Sequence, residues 1–377
     1  MTSTTRPQGF IPALDGLRGI AIVLVLVHHL TLYRPDRGID SWIAAIPLFG
    51  WTGVNLFFVL SGYLITGILL DSRDSKHYYS TFFARRALRI FPLYYLVLFV
   101  ALVLLPLVPE LHRVIVGPYP VPPKLPYWLY LTNFSIADRG MVHGWLDIAW
   151  SLAIEEQFYI VWAVVVLICP PRWLGLLCAS ILLIEPIGRS YALSRGVQAE
   201  DIYVLTFYRL DALTLGALLG WAQRHGKLPV SPKAIVMTTL VCMAGIVAIC
   251  IDAGDSWWWN QRMQQFGYTL VGITGAAMVI AAVTNPESSL WPRMLSAGWL
   301  RAFGKYSYCL YLIHLPVMRM VREYVFEPQD YNHLVFSPWI TQIIFYVVAI
   351  APAFLLARLS WTVFEAPILR LKARFPY

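Results

Sequence analysis

Residues 14–33 read LDGLRGIAIVLVLVHHLTLY, an apolar run bracketed by Asp15 and Arg18 at one end and by His28 and His29 at the other. Wound as an α-helix at 1.5 Å per residue, such a run is about 30 Å long, which is the hydrocarbon thickness of a bilayer. Comparable runs recur at approximately 50–70, 90–108, 145–168, 173–187, 203–222, 234–251, 266–283, 299–321 and 339–361. The expected fold is therefore all-α, a polytopic membrane bundle of about ten transmembrane helices. Composition agrees: of 377 residues 58% are hydrophobic and 13% charged, too apolar for a soluble core of ordinary size. The reading is of a single transmembrane domain over residues 1–377.

The formal charge of +8 could suggest a nucleic-acid partner. A nucleic-acid binder concentrates its basic residues on one polar surface, whereas here Lys and Arg sit in short connections between the apolar runs. The lipid bilayer is the better partner, and no nucleic acid is expected. An even number of spans puts both termini on one side, assigned to the cytoplasm because the basic excess (Arg73, Lys76, Arg85, Arg86, Arg89, Arg224, Lys227, Lys233, Arg370, Lys372, Arg374) collects there. A multi-pass protein of the cell (plasma or inner) membrane is expected.

Arg6 before an apolar run resembles a signal peptide, but Arg18, His28 and His29 interrupt the run and no small-residue cleavage site follows, so it reads as a retained first helix. The five cysteines (Cys169, Cys178, Cys242, Cys250, Cys309) lie in or beside apolar runs without a CxxC, and neither disulfides nor a metal site is expected. The longest connection, about residues 109–144, contains Pro118, Tyr119, Pro120, Pro122, Pro123, Pro126, Tyr127 and Trp128 and reads as an ordered outer cap able to shape an acceptor site. Trp257, Trp258 and Trp259 read as an interfacial belt.

Chemistry-bearing residues interrupt several spans. The eleven-residue step from Arg18 to His29 returns to within roughly 20° of one helix face over a rise of about 16 Å, while His28 falls about 80° away. Arg18 and His29 in one cavity would suit an elongated donor with phosphates at one end and a thioester at the other, the shape of acyl-CoA. Alternatively Arg18 snorkels to headgroups and His29 is a hydrogen-bonded core residue. Arg86 and Arg89, a turn apart, can grip phosphate oxygens or simply anchor the membrane's inner face. Glu155 follows Ser151 and precedes Tyr159 on an i, i+4 stripe facing the interior, where it could orient a catalytic imidazole or pair with Arg18 or Arg209; Glu156 points about 100° away.

In the second span Gly53 and Gly62 read as close-packing positions, and Ser61 is left open between packing and ligand contact. Arg209 and Asp211, two residues apart, face separate partners, and Gly216 and Gly220 read as helix packing. Ser307, Tyr311 and His314 form a polar stripe before Pro316, either structural or part of a site. The segment Phe364-Glu365-Ala366-Pro367 reads as a helix-closing contact.

Together these segments resemble the acyltransferase 3 family of membrane O-acyltransferases, over nearly the whole chain. The resemblance is carried by Arg18 and His29 in the first helix; Arg86 and Arg89 as RxxR; Ser61, Gly62 and Tyr63; Trp150 to Tyr159 as WSLxxExxFY; Arg209, Asp211, Leu213 and Gly216; and Ser307, Tyr308, Tyr311, Leu312 and His314. It implies an acyl-CoA donor, acetyl-CoA above all, entering from the cytoplasm with its phosphates near Arg18, Arg86 and Arg89. It also implies His29 as the catalytic imidazole. The acceptor implied is a hydroxyl of a cell-envelope polysaccharide, lipopolysaccharide or exopolysaccharide, with a macrolide or small glycoside as the alternative. No extracellular SGNH-type domain is expected after the tenth helix, which makes a separate periplasmic or extracellular acyl-transfer partner a candidate. General-base and acyl-imidazole roles for His29 stay open. A reading from another class, a proton-coupled transporter or flippase, would use Glu155, Asp211, His29 and His314 as a relay.

Overall fold

The computed structural model describes residues 11–33, 39–117, 119, 123–142, 144–228, 231–254, 256–286, 288–326 and 338–376. Arg6 and, in the long connection, Pro118, Pro120 and Pro122 lie outside the described residues. Every regular element described is helical. In order these are α1 Pro12–Leu30, α2 Ile39–Leu48, α3 Thr52–Asp71 and α4 Tyr78–Phe99, then three short helices of the long connection, α5 Pro109–Val116, α6 Lys124–Trp128 and α7 Thr132–Arg139. There follow α8 Ala149–Ile168, α9 Pro171–Ser194, α10 Ala199–Val204, α11 Leu210–Arg224, α12 Pro232–Ala253, α13 Tyr268–Thr284, α14 Leu290–Leu295, α15 Gly298–Tyr324 and α16 Pro338–Ser360.

Among the described residues eight helices are long and apolar enough to cross a membrane. Two other expected spans are present as helices without meeting that measure. α11 has only 15 residues, and α15, with 27, carries Arg301, Lys305, Arg319, Arg322 and Glu323. The exterior is lipid-like: on α12, Val236, Leu240, Val241, Val247 and Ile251 are all exposed, the reverse of a soluble helix. The chain is a multi-pass, all-helical membrane protein.

Two boundaries depart from expectation. The third span begins at Tyr78 instead of 90, because its first turns are amphipathic and bury Tyr78, Thr81 and Phe82; the Tyr78 hydroxyl donates to the Ala163 carbonyl at 2.8 Å. Arg86 and Arg89 thus sit inside a helix, not at its start. The expected span 203–222 is broken, because Arg209 leaves the helical region (φ −127°, ψ 11°) and Asp211 accepts from the Ala212 amide at 2.8 Å. That backbone contact competes with helix continuation.

Glycines set the closest approaches. A Cβ on Gly62 would lie 1.9 Å from the Leu213 carbonyl oxygen, and one on Gly216 2.0 Å from that of Val59, so α3 and α11 touch backbone to backbone. α1 and α15 do the same: a Cβ on Gly19 would lie 2.1 Å from the Leu300 oxygen, and one on Gly304 1.8 Å from that of Asp15. In lipid, where apolar side chains gain nothing by leaving solvent, such small-residue contacts are what hold helices together.

The far end of α1 is closed by α16. Gln342 accepts from the Leu32 and Tyr33 amides at 2.7 and 3.0 Å and donates to the Leu30 carbonyl at 2.9 Å. These bonds satisfy backbone groups that a helix end leaves orphaned, and they fix the turn carrying His28 and His29. The helices of the long connection are tied down likewise: Tyr94 donates to the Tyr127 carbonyl at 2.8 Å and Gln157 to that of Tyr130 at 2.8 Å.

Gly216→Val should destabilise the bundle by about 1–3 kcal/mol or more through overpacking. The readout is a lower midpoint in a detergent thermal scan by size-exclusion chromatography. Gly188→Ala, whose Cβ would meet nothing within 4 Å, should leave the midpoint where it is.

Candidate active site

Two neighbouring cavities gather the polar side chains of the interior. The first, about 130 Å³, is lined by Arg18 of α1, Ser61 of α3, Arg86 and Arg89 of α4, Ser151, Glu155 and Tyr159 of α8, and Ser307 and Tyr311 of α15. The second, about 250 Å³, is lined by His28 and His29, Asp147, Tyr311 and Arg319 among a largely aromatic wall that includes Trp51, Trp145, Trp150 and Trp258. One continuous cavity holding Arg18 and His29 was the expectation, and the structure divides it. Val54 and Tyr311 line both compartments.

In the arginine cavity three guanidiniums gather from two helices that are unconnected in sequence. Arg18 leans on Asp15 at 3.4 Å, Arg86 lies over the Tyr159 ring at 5.1 Å and Arg89 over the Trp361 ring at 5.4 Å. Arg85 is turned away, donating to the Lys372 and Phe375 carbonyls at 3.1 and 2.9 Å, and its role is to hold the C-terminal segment. Planar guanidiniums gathered in one pocket favour an anionic ligand with several oxygens.

Glu155 belongs to this cavity. The Tyr159 hydroxyl donates to its Oε2 at 2.8 Å and lies 2.5 Å from the Ser61 hydroxyl, giving a chain Ser61–Tyr159–Glu155. Glu155 was expected beside the imidazole or in a pair with Arg18 or Arg209. Instead Arg18 pairs with Asp15, and Arg209 donates to Asn55 at 2.6 Å. The carboxylate that shares a cavity with His29 is Asp147, buried and accepting from the Tyr127 hydroxyl at 3.1 Å. Sequence reasoning missed it. Its signal in the sequence was an acidic residue at the apolar entrance to the helix that carries Ser151 and Glu155.

His29 meets His314 of α15, with Nδ1 and Nε2 3.1 Å apart. His314 Nδ1 lies 3.1 and 2.8 Å from the Leu310 and Tyr311 carbonyl oxygens. Carbonyls only accept, so His314 carries its proton on Nδ1 and offers the Nε2 lone pair. His29 Nδ1–H donates to that lone pair, and the basic nitrogen of His29 is then Nε2. His28 is buried, and its Nδ1 donates to the Leu48 carbonyl at 2.7 Å, an anchor for the segment between α2 and α3. The polar stripe of α15 thus contributes Ser307 to the first cavity, Tyr311 to both, and His314 to the support of His29.

Two further candidates lie in the framework. Arg209 is buried against Tyr268 and Tyr203, 4.3 and 4.9 Å from their ring centres. Asp211 pairs with Arg189 at 3.0 Å and accepts from Thr269 at 2.9 Å. They have separate partners, as their spacing requires, and neither lines the two cavities. Trp258, expected in an interfacial belt, is buried and stacked on Tyr203 with ring centres 4.2 Å apart.

A multi-pass helical bundle with a guanidinium-lined cavity next to a supported imidazole has the layout of a membrane enzyme. The chain belongs to the acyltransferase 3 family: the family described as an acyltransferase domain matches residues 11–358. It is similar to the peptidoglycan O-acetyltransferase OatA of Listeria monocytogenes, 28% identical over 98% of this chain and 57% of that protein. It is also similar to the putative peptidoglycan O-acetyltransferase YrhL of Bacillus subtilis, 30% identical over 84% of this chain and 50% of that protein. The O-acetyltransferase OatA of Staphylococcus aureus is 27% identical over 95% and 57%. The chain spans about half the length of these curated relatives. No solved structure matches it.

His28→Ala should cost about 1–3 kcal/mol by stranding a buried carbonyl. A lowered thermal midpoint would register this loss, with His29→Ala as the comparison variant that keeps the Leu48 bond.

Proposed function

We propose that this protein moves an acyl group, acetyl above all, from acyl-CoA to a hydroxyl of a sugar-containing acceptor, with His29 as general base. The observation that carries the reading is the imidazole pair. With His314 accepting the Nδ1–H of His29, Nε2 is the ring nitrogen that carries the lone pair and would take the proton of an incoming hydroxyl. The oxygen attacks the thioester carbonyl carbon, the carbon–sulfur bond breaks, and the proton on His29 passes to the departing thiolate. Ground-state geometry holds the base in one tautomer, so no reorientation is needed at the moment of transfer.

Arg18, Arg86 and Arg89 would receive the phosphates of the donor, since guanidinium forks match phosphate oxygens bidentately. The rise of about 16 Å from Arg18 to His29 along α1 leaves room for an extended arm between the charged end and the thioester. The aromatic wall of the second cavity suits the acceptor, because apolar sugar faces stack on indole and phenol rings while Asp147 can orient hydroxyls. Relatives named as peptidoglycan O-acetyltransferases favour acetyl as the acyl group and a cell-wall polysaccharide as the acceptor over a macrolide or small glycoside. The setting is the cell membrane, with the arginine cavity facing the cytoplasm, where acyl-CoA is made.

The transporter reading loses its relay. Asp211 is locked to Arg189 and Thr269, and Glu155 lines a different cavity from His29.

His29→Ala, inserted and folded, should lose about 10²–10⁴-fold of acyl transfer, measured as radiolabelled acetyl moving from acetyl-CoA to cell-envelope glycan. Near-wild-type transfer would remove His29 from the mechanism. Arg86→Ala combined with Arg89→Ala should raise the apparent KM for acetyl-CoA, whereas Arg85→Ala should leave it close to wild type. An unchanged KM in the double variant would reject the phosphate role.

A further inference from the structure

We propose that Tyr311 is the partition between the donor and acceptor compartments, and that its hydroxyl latch decides whether a donor thioester meets the acceptor or water. The inference rests on the reading above that acyl-CoA occupies the arginine cavity and His29 acts in the other.

The compartments share two lining side chains, Val54 and Tyr311. Val54 is small and aliphatic, so the phenol ring of Tyr311 is the larger part of the common wall. It is held closed by hydroxyl contacts, 2.6 Å to the Ser151 hydroxyl and 3.0 Å to the Ile148 carbonyl oxygen, both on the α8 side. Tyr311 is buried, and so is Ser151. A buried phenol hydroxyl satisfied in this way gives up both contacts if it turns, so the ring keeps its place until a ligand offers an alternative partner.

The helix behind the ring is built to yield. Pro316 lies within α15 and has no N–H to give to the Leu312 carbonyl, so the helical ladder loses a bond in the turn that follows Tyr311. The same turn carries His314, whose Nδ1 donates to the Tyr311 carbonyl at 2.8 Å and whose Nε2 faces His29 at 3.1 Å. Displacement of Tyr311 is therefore coupled through its own backbone to the residue that sets the tautomer of the base. An arm entering from the arginine cavity opens the wall and is registered at the imidazole in one movement. Tyr311 is a positioning residue in this scheme. With the wall shut, His29 is screened from water arriving through the arginine cavity. With the wall missing, water can attack the thioester carbonyl, giving free carboxylate and coenzyme A thiol with no acceptor consumed.

The test pairs catalysis with accessibility in the full-length protein in membrane vesicles. Tyr311→Phe keeps the ring and removes the latch, and Tyr311→Ala removes the wall. The ratio of acceptor-independent acetyl-CoA hydrolysis to acetyl transfer should rise about two- to tenfold in Tyr311→Phe, the range for one lost hydrogen bond, and further in Tyr311→Ala. Separately, Leu315→Cys in a cysteine-free background places a thiol on the histidine cavity. A charged, membrane-impermeant thiol reagent applied from the Arg18 side should label it when Tyr311→Ala is added and leave it unlabelled otherwise. Equal labelling with and without Tyr311→Ala, or a hydrolysis-to-transfer ratio unchanged in Tyr311→Phe and Ser151→Ala, overturns the partition. Labelling does not depend on catalysis, so a protein that uses no acyl-CoA but still shows Tyr311-dependent labelling would discredit the functional reading and leave the partition standing. If Tyr311→Ala does not fold, Tyr311→Phe and Ser151→Ala decide the matter by the ratio alone.

Discussion

The backbone contact between α1 and α15 is the constraint on which the site depends. Gly19 and Gly304 allow the two helices to approach until no Cβ would fit between them. At that separation a histidine near the end of α1 can reach a histidine on α15 without either side chain stretching, and the pair in turn settles which nitrogen of His29 is basic. A methyl group at either glycine would push the helices apart. The imidazoles would lose their bond before the fold lost its topology, because the site tolerates less displacement than the packing does.

Charge in the interior is handled in two ways. In the framework Arg189 sits between Glu185 and Asp211 at 3.2 and 3.0 Å, while Arg209 donates to Asn55 and lies against aromatic faces. In the arginine cavity Arg18 pairs with Asp15, Arg86 and Arg89 lie over ring faces, and the Glu155 carboxylate lines the same wall.

Division of the interior into two compartments suits group transfer across a barrier. Under the proposed reading, a donor charged at one end and an acceptor on the other side would not need to share one open channel, which would leak protons and water. They need only meet at one point, and Val54 and Tyr311 are what lies at that point.

Much of this was legible in the order of residues. Apolar runs long enough to span a bilayer determined an all-helical membrane protein, since backbone groups in lipid must satisfy one another within each segment. Helical periodicity set Arg18 and His29 on one face and separated Arg209 from Asp211, and the small size of Gly62 and Gly216 marked them as contact points. What only tertiary structure decided is which faces oppose each other. Glu155 went to the arginines, Asp147 to the histidine and His314 to His29, and one expected cavity became two, because the partners come from helices far apart in sequence. Periodicity gives the direction of a side chain about its own axis, but the neighbour it finds depends on how closely, and at what height, another helix is packed.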